Sequence, residues 1–567
     1  MSAPDPTAFH DRNARYRARV FAERARLRDA LADPAAHQRK VLRDLLDLNA
    51  GTRFGTAHGF RRIRSLDDFR KAVPIHAYAD LAPWIERAAA GEADVLSADP
   101  PAVWFTSSGS TGAHKKIPVT PAFVRTTFLP FYFAAWAPLL EHFPEVLDRP
   151  DAVLNLKHDP LAAPPTLADG RPHVGASQVD FGERFGEPLA AEPGSFAPWG
   201  TLPVPLAADD HEGKMYARLR LAMESDVRLV IGINPAMVAA LPFQLRLWWP
   251  RLLRDIRDGT VAGVPARDPN PQRAAELERA AHRAGEPRPA VVWPRMRALF
   301  CWTTGMASLY LPRLREEYGT GVTALPAPVA ASEGPVGTAL DRHPTAGSPV
   351  VTASVLEFAD ADEDIGPETP TWDVRQLDVG HDYHVVFSHV GGLYRYAVGD
   401  VVRVVDRVGG VPRLEYAGRA TRSDAAGERL RDAQVIRALG GAAAAGGLAV
   451  RNAACRVEPD PGTGRPGYRF ALAPAGPWSE DELHRFGERL DEELRHGSAG
   501  YRSAREAARL APARVTLLDG DAFDRDWLAA VAGGTRPTQV KDRLFRQDSR
   551  QWDRLTAPGH APADRGE

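Results

Sequence analysis

Residues 106–118 concentrate hydroxyl groups, glycines and lysines in one short segment. The segment follows the apolar run Val103-Trp104-Phe105 and reads Thr106-Ser107-Ser108-Gly109-Ser110-Thr111-Gly112-Ala113-His114-Lys115-Lys116-Ile117-Pro118. Glycine permits positive φ angles and brings successive N–H groups towards an anion, serine and threonine add hydroxyl donors, and lysine supplies compensating charge. Because the apolar run is typical of the end of a strand, the segment predicts a turn that binds the phosphates of a nucleotide triphosphate.

Lysine is rare elsewhere in the chain. Among 71 basic residues, lysine occurs only at Lys40, Lys71, Lys115, Lys116, Lys157, Lys214 and Lys541. A compact ammonium on a flexible stem suits a moving phosphoryl or carboxylate charge, whereas the arginine fork suits fixed bidentate contacts. The alternative interpretation is a polar turn whose lysines point into water. A Walker A motif would need glycine at His114 and a hydroxyl at Lys116, so an ordinary P-loop NTPase is not expected.

The composition indicates a globular protein with ample core. The chain has 567 residues, of which 44% are hydrophobic and 25% charged, a length typical of roughly two to four domains. The formal charge of −2 creates no net field for nucleic acid or an anionic membrane, so neither is expected as a partner. Cys301 and Cys455 lie far apart among apolar neighbours, which indicates buried thiols rather than a disulfide or a metal cluster.

The sequence shows no pattern typical of membrane targeting. The N-terminal region, with six arginines between Arg12 and Arg26, predicts a charged helix without a signal-peptide core. No later segment approaches about 20 uninterrupted apolar residues. We therefore expect a cytoplasmic protein, and we expect it to act as a monomer.

The order of apolar runs and helical patterns predicts an α/β fold. A β-rich run at 227–232 precedes a long helix that starts at Asn234-Pro235, and a second strand and turn at 297–305 precede a helix that ends near Tyr318. This order predicts helix-covered β-sheets, in which ligands lie at the carboxyl ends of strands. The turns at Thr106, Gly232, Thr303-Thr304-Gly305 and Ser332-Glu333-Gly334 occupy such places.

Composition changes along the chain predict two domains. Residues 350–416 are strand-rich and predict a small barrel or sheet. After Gly418-Arg419 the pattern becomes helix, strand, helix, strand, helix, typical of a compact α+β domain. We therefore expect a large N-terminal domain at 1–420, with helix-covered sheets and the small barrel, and a smaller, mobile α+β domain at 421–567.

An aromatic helix is predicted at 123–143, after the phosphate-binding segment. It carries Phe128, Phe131, Tyr132, Phe133 and Trp136. On periodicity alone this is a core helix. Its position after a phosphate-binding turn also makes it a candidate wall of a substrate pocket.

These segments together resemble the GH3 family of acyl acid amido synthetases, a branch of the adenylate-forming superfamily that also includes acyl-CoA ligases. The resemblance covers nearly the whole chain. No single motif is specific to the family, but the order in which the motifs occur is. The motifs are 49–55 (NAGTRFG), Tyr78-Ala79-Asp80-Leu81, 83–87 (PWIER), the Ser/Thr/Gly segment ending in Lys115 and Pro118, 255–260 (DIRDGT), Ala331-Ser332-Glu333-Gly334, 392–396 (GLYRY), 399–402 (GDVV), Gly418-Arg419 and Gly427-Glu428.

The resemblance implies a two-step reaction that uses ATP and Mg²⁺. A carboxylic acid is converted to acyl-AMP with release of pyrophosphate, and an amine, such as an amino acid, then attacks the acyl carbon. By position, Ser107 to Gly112 with Lys115 and Ser332 would hold the nucleotide. Glu333 would bind Mg²⁺, which prefers one or two carboxylates plus phosphate oxygens. Asp400 would bind the ribose hydroxyls, Arg419 would contact ribose or phosphate at the hinge, and Lys541 would swing in to stabilise charge.

Each assignment has a structural alternative. Glu333 could cap the turn at Gly334, Asp400 could be a turn residue, Arg419 a surface cation and Lys541 part of a polar tail. The chain also departs from the family pattern. Val329 stands where the family has an adenine-stacking tyrosine, Ala397 replaces an arginine, Ser110 replaces threonine, and Asp542 follows the lysine in place of proline.

The substrate can be narrowed only in class. Phe131, Ala134 and Ala135 of the aromatic helix, with Ile233 and Thr304, would line the acid pocket without a cation, so we expect an apolar or aromatic acid. Two other functions stay open: a ligase that makes a thioester with CoA or a carrier protein or stops at the adenylate, and a non-catalytic nucleotide-binding homologue. The Ala, Arg, Pro and Gly content suits a GC-rich actinobacterium and a role in secondary metabolism.

Overall fold

A computed structural model describes residues 6–108, 114–156, 166–167, 170–176, 179, 181–186, 194, 197 and 199–557. The predicted phosphate-binding residues Gly109, Ser110, Thr111 and Gly112 lie outside the described residues, as do the side chains of Ser107 and Ser108. Among the described residues, no helix combines the length and the apolar character that crossing a membrane would require.

The α-helices are numbered along the chain. They are α1 (Pro6–Ala32), α2 (Pro34–Asn49), α3 (Arg53–Ala57), α4 (Leu66–Ala72), α5 (Tyr78–Ala89), α6 (Pro121–Phe123), α7 (Leu129–Ala135), α8 (Ala137–His142), α9 (Phe181–Phe185), α10 (His211–Ala222), α11 (Pro235–Asp258), α12 (Pro271–Ala284), α13 (Pro289–Val292), α14 (Ala307–Tyr318), α15 (Asp432–Gly446), α16 (Glu480–Gly497), α17 (Ala499–Glu506), α18 (Ala522–Ala532) and α19 (Ser549–Thr556). A π-helical turn joins α6 to α7.

The strands are β1 (Val103–Ser108), β2 (His114–Val119), β3 (Val153–Asn155), β4 (His173–Val174), β5 (Leu229–Ile231), β6 (Thr260–Val261), β7 (Val264–Pro265), β8 (Ala298–Cys301), β9 (Thr323–Pro326), β10 (Val329–Ala331), β11 (Gly334–Thr338), β12 (Ser348–Pro349), β13 (Val355–Asp360), β14 (Asp382–His389), β15 (Leu393–Val408), β16 (Val411–Arg419), β17 (Arg422–Ser423), β18 (Leu430–Arg431), β19 (Val450–Pro459), β20 (Pro466–Pro474) and β21 (Arg514–Leu517).

A four-stranded parallel sheet, in the order β3-β5-β8-β9, forms one part of the body. Its strands are short, and β3, β5 and β8 are fully buried, as expected for a parallel sheet covered on both faces. The predicted helix start at Asn234 is confirmed, because the Asn234 side chain accepts a hydrogen bond from the Ala236 N–H and Pro235 begins α11. The predicted α/β pattern in this region is therefore present.

Strands β1 and β2 flank the predicted phosphate-binding residues 109–112. Strand β1 pairs antiparallel with β2, with Ser107 opposite Lys115 and Ser108 opposite His114. The predicted strand end at 103–105 is confirmed, but the strand continues to Ser108. The prediction that both lysines lie in the turn is wrong, since Lys115 and Lys116 belong to β2. Because β2 is short and its first three residues are polar, the sequence pattern did not predict a strand there. The aromatic helix predicted at 123–143 is present as α6, the π-helical turn, α7 and α8.

The strand-rich region forms a four-stranded antiparallel sheet in the order β13-β14-β15-β16. An isolated bridge between Gly347 and Leu414 links its edge to the sheet β10-β11-β12. Register shifts between β14 and β15 place extra residues on β15, and such bulges bend a strand and redirect its side chains. Gly399, with φ of +81°, lies in one of these bulges immediately before Asp400.

A buried ion pair joins this sheet to the N-terminal helices. Arg395 Nε donates to Glu357 Oε1 at 3.0 Å and its Nη2 to Glu357 Oε2 at 3.2 Å, and both residues are buried. Arg395 Nη1 also donates to the carbonyl oxygens of Arg70 and Val73 at 3.1 and 2.8 Å. Arg395 has φ of +42°, a strained value for a non-glycine residue that surrounding contacts must hold.

The C-terminal part of the chain has its own core. Strands β19, β20 and β21 form one sheet, and apolar residues of this sheet pack with those of α15, α16 and α17 in one buried cluster. The predicted order of helix, strand, helix, strand and helix is present. Strand β19 was not predicted, because its Arg, Asn and Ala residues have little strand propensity. The predicted division between residues 420 and 421 stays a prediction.

We predict that Glu357→Gln strongly destabilises the fold. The substitution leaves the Arg395 guanidinium buried without its counter-charge, and breaking one side of a buried ion pair costs about 3–5 kcal/mol. The measurement is the free energy of unfolding from urea titration, with Glu278→Gln on the exposed face of α12 as the matched control. Equal midpoints for the two variants would contradict the structural role of Glu357.

Candidate nucleotide-binding site

Three side chains from distant parts of the chain meet at the centre of the candidate site. Lys115 Nζ lies 3.3 Å from Glu333 Oε1 and donates to the Tyr396 hydroxyl at 3.0 Å. The Tyr396 hydroxyl donates to Glu333 Oε1 at 3.4 Å. Lys115 is on β2, Glu333 is in the turn between β10 and β11, and Tyr396 is on β15. The Glu333 side chain is only 4% exposed, and the Lys115 ammonium is the oppositely charged partner that a buried carboxylate requires.

The backbone at Glu333 is held by a buried histidine. His389 Nε2 donates to the Glu333 carbonyl oxygen at 2.9 Å, while its Nδ1 accepts from the Gly391 N–H at 3.1 Å. This pair of hydrogen bonds assigns the proton to Nε2. Burial lowers the pKa of His389 to about 4, so the ring stays neutral at physiological pH. The histidine therefore fixes the turn that carries Glu333 without adding charge.

Two tyrosines flank the Lys115 ammonium. It lies 5.4 Å from the ring centre of Tyr78 and 5.8 Å from that of Tyr396, within the range of cation–π attraction. The Tyr78 hydroxyl accepts from the Lys116 N–H at 2.8 Å, which ties α5 to β2. Burial, and next the charge of Glu333, raise the pKa of Tyr396 well above its ordinary value, so its hydroxyl stays protonated.

Neither tyrosine was among the site residues predicted from the sequence. Both lie within motifs quoted above, at 78–81 and 392–396, and these motifs could have indicated them. Backbone hydrogen bonds to His76 hold β15 on both sides of Tyr396. The His76 N–H donates to the Arg395 carbonyl, and the Ala397 N–H donates to the His76 carbonyl, both at 2.9 Å. The position of Tyr396 therefore depends on a segment more than 300 residues earlier, as the His76–Tyr394 contact also shows.

Asp400 and Arg419 face each other on β15 and β16. Asp400 is buried, and its Oδ1 lies 3.2 Å from Arg419 Nη1. This oxygen has no hydrogen bond of good geometry to the described residues. Burial raises the pKa of Asp400, an effect that the charge of Arg419 partly offsets. The structure therefore presents a buried carboxylate oxygen that can accept a hydrogen bond from a ligand hydroxyl.

Lys541 of the C-terminal part lies beside these charges. Its Nζ is 5.3 Å from the ring centre of Trp302. Although Lys541 keeps exposed surface, the surrounding protein lowers its pKa, first by desolvation and then by the charge of Arg419, while Asp400 and Glu333 act in the opposite sense. The ammonium and both carboxylates therefore sense one another electrostatically within one cleft.

The neighbouring residue Val540 anchors this segment to the body. Its carbonyl oxygen accepts from Asn234 Nδ2 at 2.7 Å and from Trp527 Nε1 at 3.2 Å. Asn234 thus caps α11 through its side-chain oxygen and holds residue 540 through its side-chain nitrogen. Apolar residues reinforce this contact in a cluster that includes Ala236, Met237, Trp527 and Val531.

The other predicted site residues differ in their degree of burial. Ser332 precedes Glu333 in the turn and is half-buried, as are Ile233 and Thr304 at the carboxyl ends of β5 and β8. Phe131, Ala134 and Ala135 are buried in the core, and their role as pocket walls stays a prediction. Val329, on β10, is partly buried against the same core.

The predicted phosphate cradle at Gly109 to Gly112 lies outside the described residues. The structure gives the two strands that flank these residues and the position of Lys115 on β2. His173 Nε2, on the neighbouring strand β4, donates to the Lys115 carbonyl oxygen at 3.2 Å and secures the base of the hairpin.

Comparison with known proteins assigns the family. The GH3 family N-terminal, central and C-terminal domains match residues 23–323, 349–419 and 434–549. The chain therefore belongs to the GH3 family, as its motifs predicted.

Relatives and solved structures agree with this assignment. The probable indole-3-acetic acid-amido synthetase GH3.12 of Oryza sativa subsp. japonica is 28% identical over 434 residues, covering 68% of this chain and 69% of that protein. The indole-3-acetic acid-amido synthetase GH3.17 of Arabidopsis thaliana is 27% identical over 437 residues, covering 69% and 70%. The solved structure of GH3.15 acyl acid amido synthetase has a TM-score of 0.77 at 21% identity, covering 94% and 96%. The predicted fold class is confirmed.

We predict that Asn234→Asp loosens the segment around Lys541 while leaving α11 capped. The carboxylate can still accept from the Ala236 N–H but no longer donates to the Val540 carbonyl. Loss of one such bond should accelerate hydrogen exchange in residues 536–546 by about tenfold. Mass spectrometry of peptides from this segment makes the measurement.

Asn270→Asp provides the control, because Asn270 caps α12 in the same way and has no bond to the C-terminal segment. Equal exchange rates at 536–546 in both variants would show that the Asn234 side chain does not hold Val540.

Proposed function

We propose that this protein is an ATP-dependent acyl acid amido synthetase. It converts a carboxylic acid to acyl-AMP, releases pyrophosphate, and transfers the acyl group to an amine, most simply that of an amino acid. The convergence of Lys115, Glu333, Asp400 and Lys541 on one cleft carries this proposal. The names of the plant relatives, which are amido synthetases, support the class of reaction.

The chain's own residues divide the work of the first step. Lys115 is held by Tyr396 and Glu333 on β2, which follows the Ser/Thr/Gly residues in the chain. From there its ammonium can neutralise triphosphate charge. Asp400 offers its unengaged oxygen to a ribose hydroxyl, and Arg419 beside it offers a guanidinium to ribose or phosphate. Lys541 neutralises charge that develops as the acid attacks the innermost phosphorus and the bond to pyrophosphate breaks.

Glu333 is the residue proposed to hold Mg²⁺. The site fits a hard cation, because a buried carboxylate adjoins the proposed phosphate position and a second buried carboxylate, Asp400, lies in the same cleft. When bound, the ion would supply charge neutralisation to the phosphates. Lys115 and the Tyr396 hydroxyl hold the Glu333 side chain in place for this role.

An apolar or aromatic acid is the proposed substrate. Aromatic rings line the inner side of the helical segment at 121–142: Phe128 stacks on Phe181 with ring centres 4.9 Å apart and planes 7° from parallel, and Phe128 also stacks on Tyr132. Phe128 and Tyr132 are half-buried. The relatives are named for indole-3-acetic acid, and the related GH3.15 structure contains 2,4-DB, both compatible with such a pocket.

The second step needs room for the amine. We propose that residues 421–567 move as a unit about the chain at Arg419, so that Lys541 leaves the cleft after adenylate formation and the amine enters. Among the contacts that must break are the hydrogen bond from Asn234 to the Val540 carbonyl and the ion pair between Arg313 and Asp524. Hinge movement of this kind often limits turnover.

We predict acid-dependent pyrophosphate release that is abolished by Lys115→Ala. The wild-type protein, ATP and Mg²⁺ are screened with a panel of apolar and aromatic acids, and pooled amino acids are then added so that mass spectrometry identifies the amide. Loss of the ammonium beside the phosphates should reduce the rate at least a hundredfold. Lys116→Ala is the control, because Lys116 pairs at 2.5 Å with Glu86 outside the cleft.

The products decide between the remaining functions. A thioester formed with CoA but no amide would make the protein an acyl-CoA-type ligase, and an adenylate that accumulates with either acceptor would make it an adenylating enzyme only. No pyrophosphate release with any acid would favour a nucleotide-binding homologue. Equal activity of Lys115→Ala and Lys116→Ala would refute the assignment of Lys115.

We predict that Lys541 sets the alkaline limit of adenylation. Its pKa is lowered, so the ammonium loses its proton below the ordinary lysine pKa of 10.5, and the rate of pyrophosphate release should fall as pH rises through that lowered value. Lys541→Arg keeps a positive charge throughout this range. The variant should release pyrophosphate more slowly at neutral pH, and its rate should not fall at alkaline pH. The measurement is a pH profile of single-turnover pyrophosphate release. An unchanged alkaline fall in rate would exclude Lys541 as its source.

A further inference from the structure

A cavity of about 520 Å³ lies between the central sheet and the C-terminal part of the chain. It is separate from the cleft of Lys115 and Glu333, because none of the cleft residues lines it. Its lining includes Asp382 and Arg403 from β14 and β15, together with Arg429, Arg431, Arg437 and the start of α17. The cavity therefore spans the junction next to Arg419.

The lining has an excess of positive charge. Five arginines (Arg403, Arg422, Arg429, Arg431 and Arg437) meet three carboxylates (Asp362, Asp382 and Glu428). Glu428 is already engaged, since its oxygens accept from the N–H groups of Ala425 and Ala426 and from the Tyr468 hydroxyl. Asp362 is 80% exposed, and so is screened by water. Asp382, whose side chain is 7% exposed, is the carboxylate of this lining that pairs with its arginines away from solvent.

The arginines have two different tasks. Arg422 and Arg431 donate to the carbonyl oxygens of Ala361 and Glu363 and so hold the loop after β13. Arg403 donates to Asp382 at 3.0 Å, and Arg429 pairs at 2.5 Å with the exposed Asp364 at the rim. These contacts fix the frame of the cavity. Arg403, Arg431 and Arg437 nevertheless share one carboxylate, Asp382, at N···O distances of 3.0, 3.7 and 3.8 Å.

Arg437 has only a long ion pair within the described part of the chain. Its Nη2 is 3.8 Å from Asp382 Oδ2, and its side chain is 46% exposed. Desolvation lowers its pKa, Asp382 partly offsets this effect, and nearby Arg403 and Arg431 add to it. A guanidinium crowded by two others is stabilised when an anion enters between them.

The start of α17 contributes a second set of donors. Ser498 caps the helix by accepting from the Tyr501 N–H, while Ala499 and Gly500 of the first turn line the cavity. The first amides of a helix have no partner inside the helix, and the helix dipole places partial positive charge there. Together with the arginines, these amides form the donor set that recognises phosphate or carboxylate oxygens.

We propose that this cavity binds a small ligand carrying two or more phosphate or carboxylate groups. Such a ligand bridges Arg403 of the body and Arg437 of the C-terminal part. Because it binds the arrangement seen here, it stabilises that arrangement by mass action. The binding itself does not depend on the proposed catalytic activity, whereas any effect on turnover rests on the proposed function.

Calorimetric titration of the full-length protein tests the binding. Inorganic pyrophosphate and citrate are titrated separately at fixed low salt, without acid or ATP and in a Lys115→Ala background that weakens binding in the cleft. We expect saturable binding of one or both anions, which also distinguishes phosphate from carboxylate recognition. Arg437→Gln and Arg403→Gln should each weaken this binding about tenfold or more.

Arg279→Gln, an exposed arginine on α12, is the matched control and should leave the affinity unchanged. Two arginines are tested so that one unfolded variant, detected by circular dichroism, leaves the other to decide. No binding of either anion, or the same affinity in the wild-type cavity and in both cavity variants, overturns the proposal.

Hydrogen exchange tests the bridge between the two parts. Bound anion should slow exchange in residues 420–431, the connection between Arg403 and Arg437, and this slowing should be lost in Arg437→Gln. Binding that depends on Arg437 but leaves exchange at 420–431 unchanged would overturn the bridging role.

Discussion

The buried pair between Arg395 and Glu357 is the interaction on which the site depends. It joins the N-terminal helices to the central sheet, because the same guanidinium also binds the carbonyl oxygens of Arg70 and Val73. It also holds Arg395 at a positive φ angle, which sets the direction of β15 just before Tyr396. A buried charge is expensive unless it is paired, so this arrangement has few alternatives, and the orientation of Tyr396 follows from it.

The cleft itself is organised by alternating charges. Lys115 adjoins Glu333, and Arg419 adjoins Asp400, with Lys541 near both carboxylates. In a partly buried cleft these charges compensate one another before any substrate arrives. A nucleotide triphosphate would add negative charge at the same place, which explains why the chain places two of its rare lysines there.

Much of the fold could be predicted from local patterns. The buried runs before Asn234 and at 298–301 gave strands, and the Asn234-Pro235 pair gave a helix start, because caps and apolar runs act within a few residues. The polar strand β2 and the alanine-containing strand β19 could not be predicted, since each is a strand only through its partner. Of the site residues, Lys115, Glu333, Asp400, Arg419 and Lys541 came from motif order, while Tyr78 and Tyr396 came only from the structure.

The sequence by itself determined the family, the kinds of chemical group available and most local elements, since these depend on residue type and short spacing. Only the tertiary structure decided which groups meet. Lys115 contacts Glu333 and Tyr396, which lie 218 and 281 residues away in the chain, through the register of β15, its bulges and the buried Arg395. The arginines that line the cavity between the central sheet and the C-terminal part likewise carry no motif in the sequence. Their proximity arises because two separately packed parts of the chain bring like charges together, and local sequence cannot encode that distance.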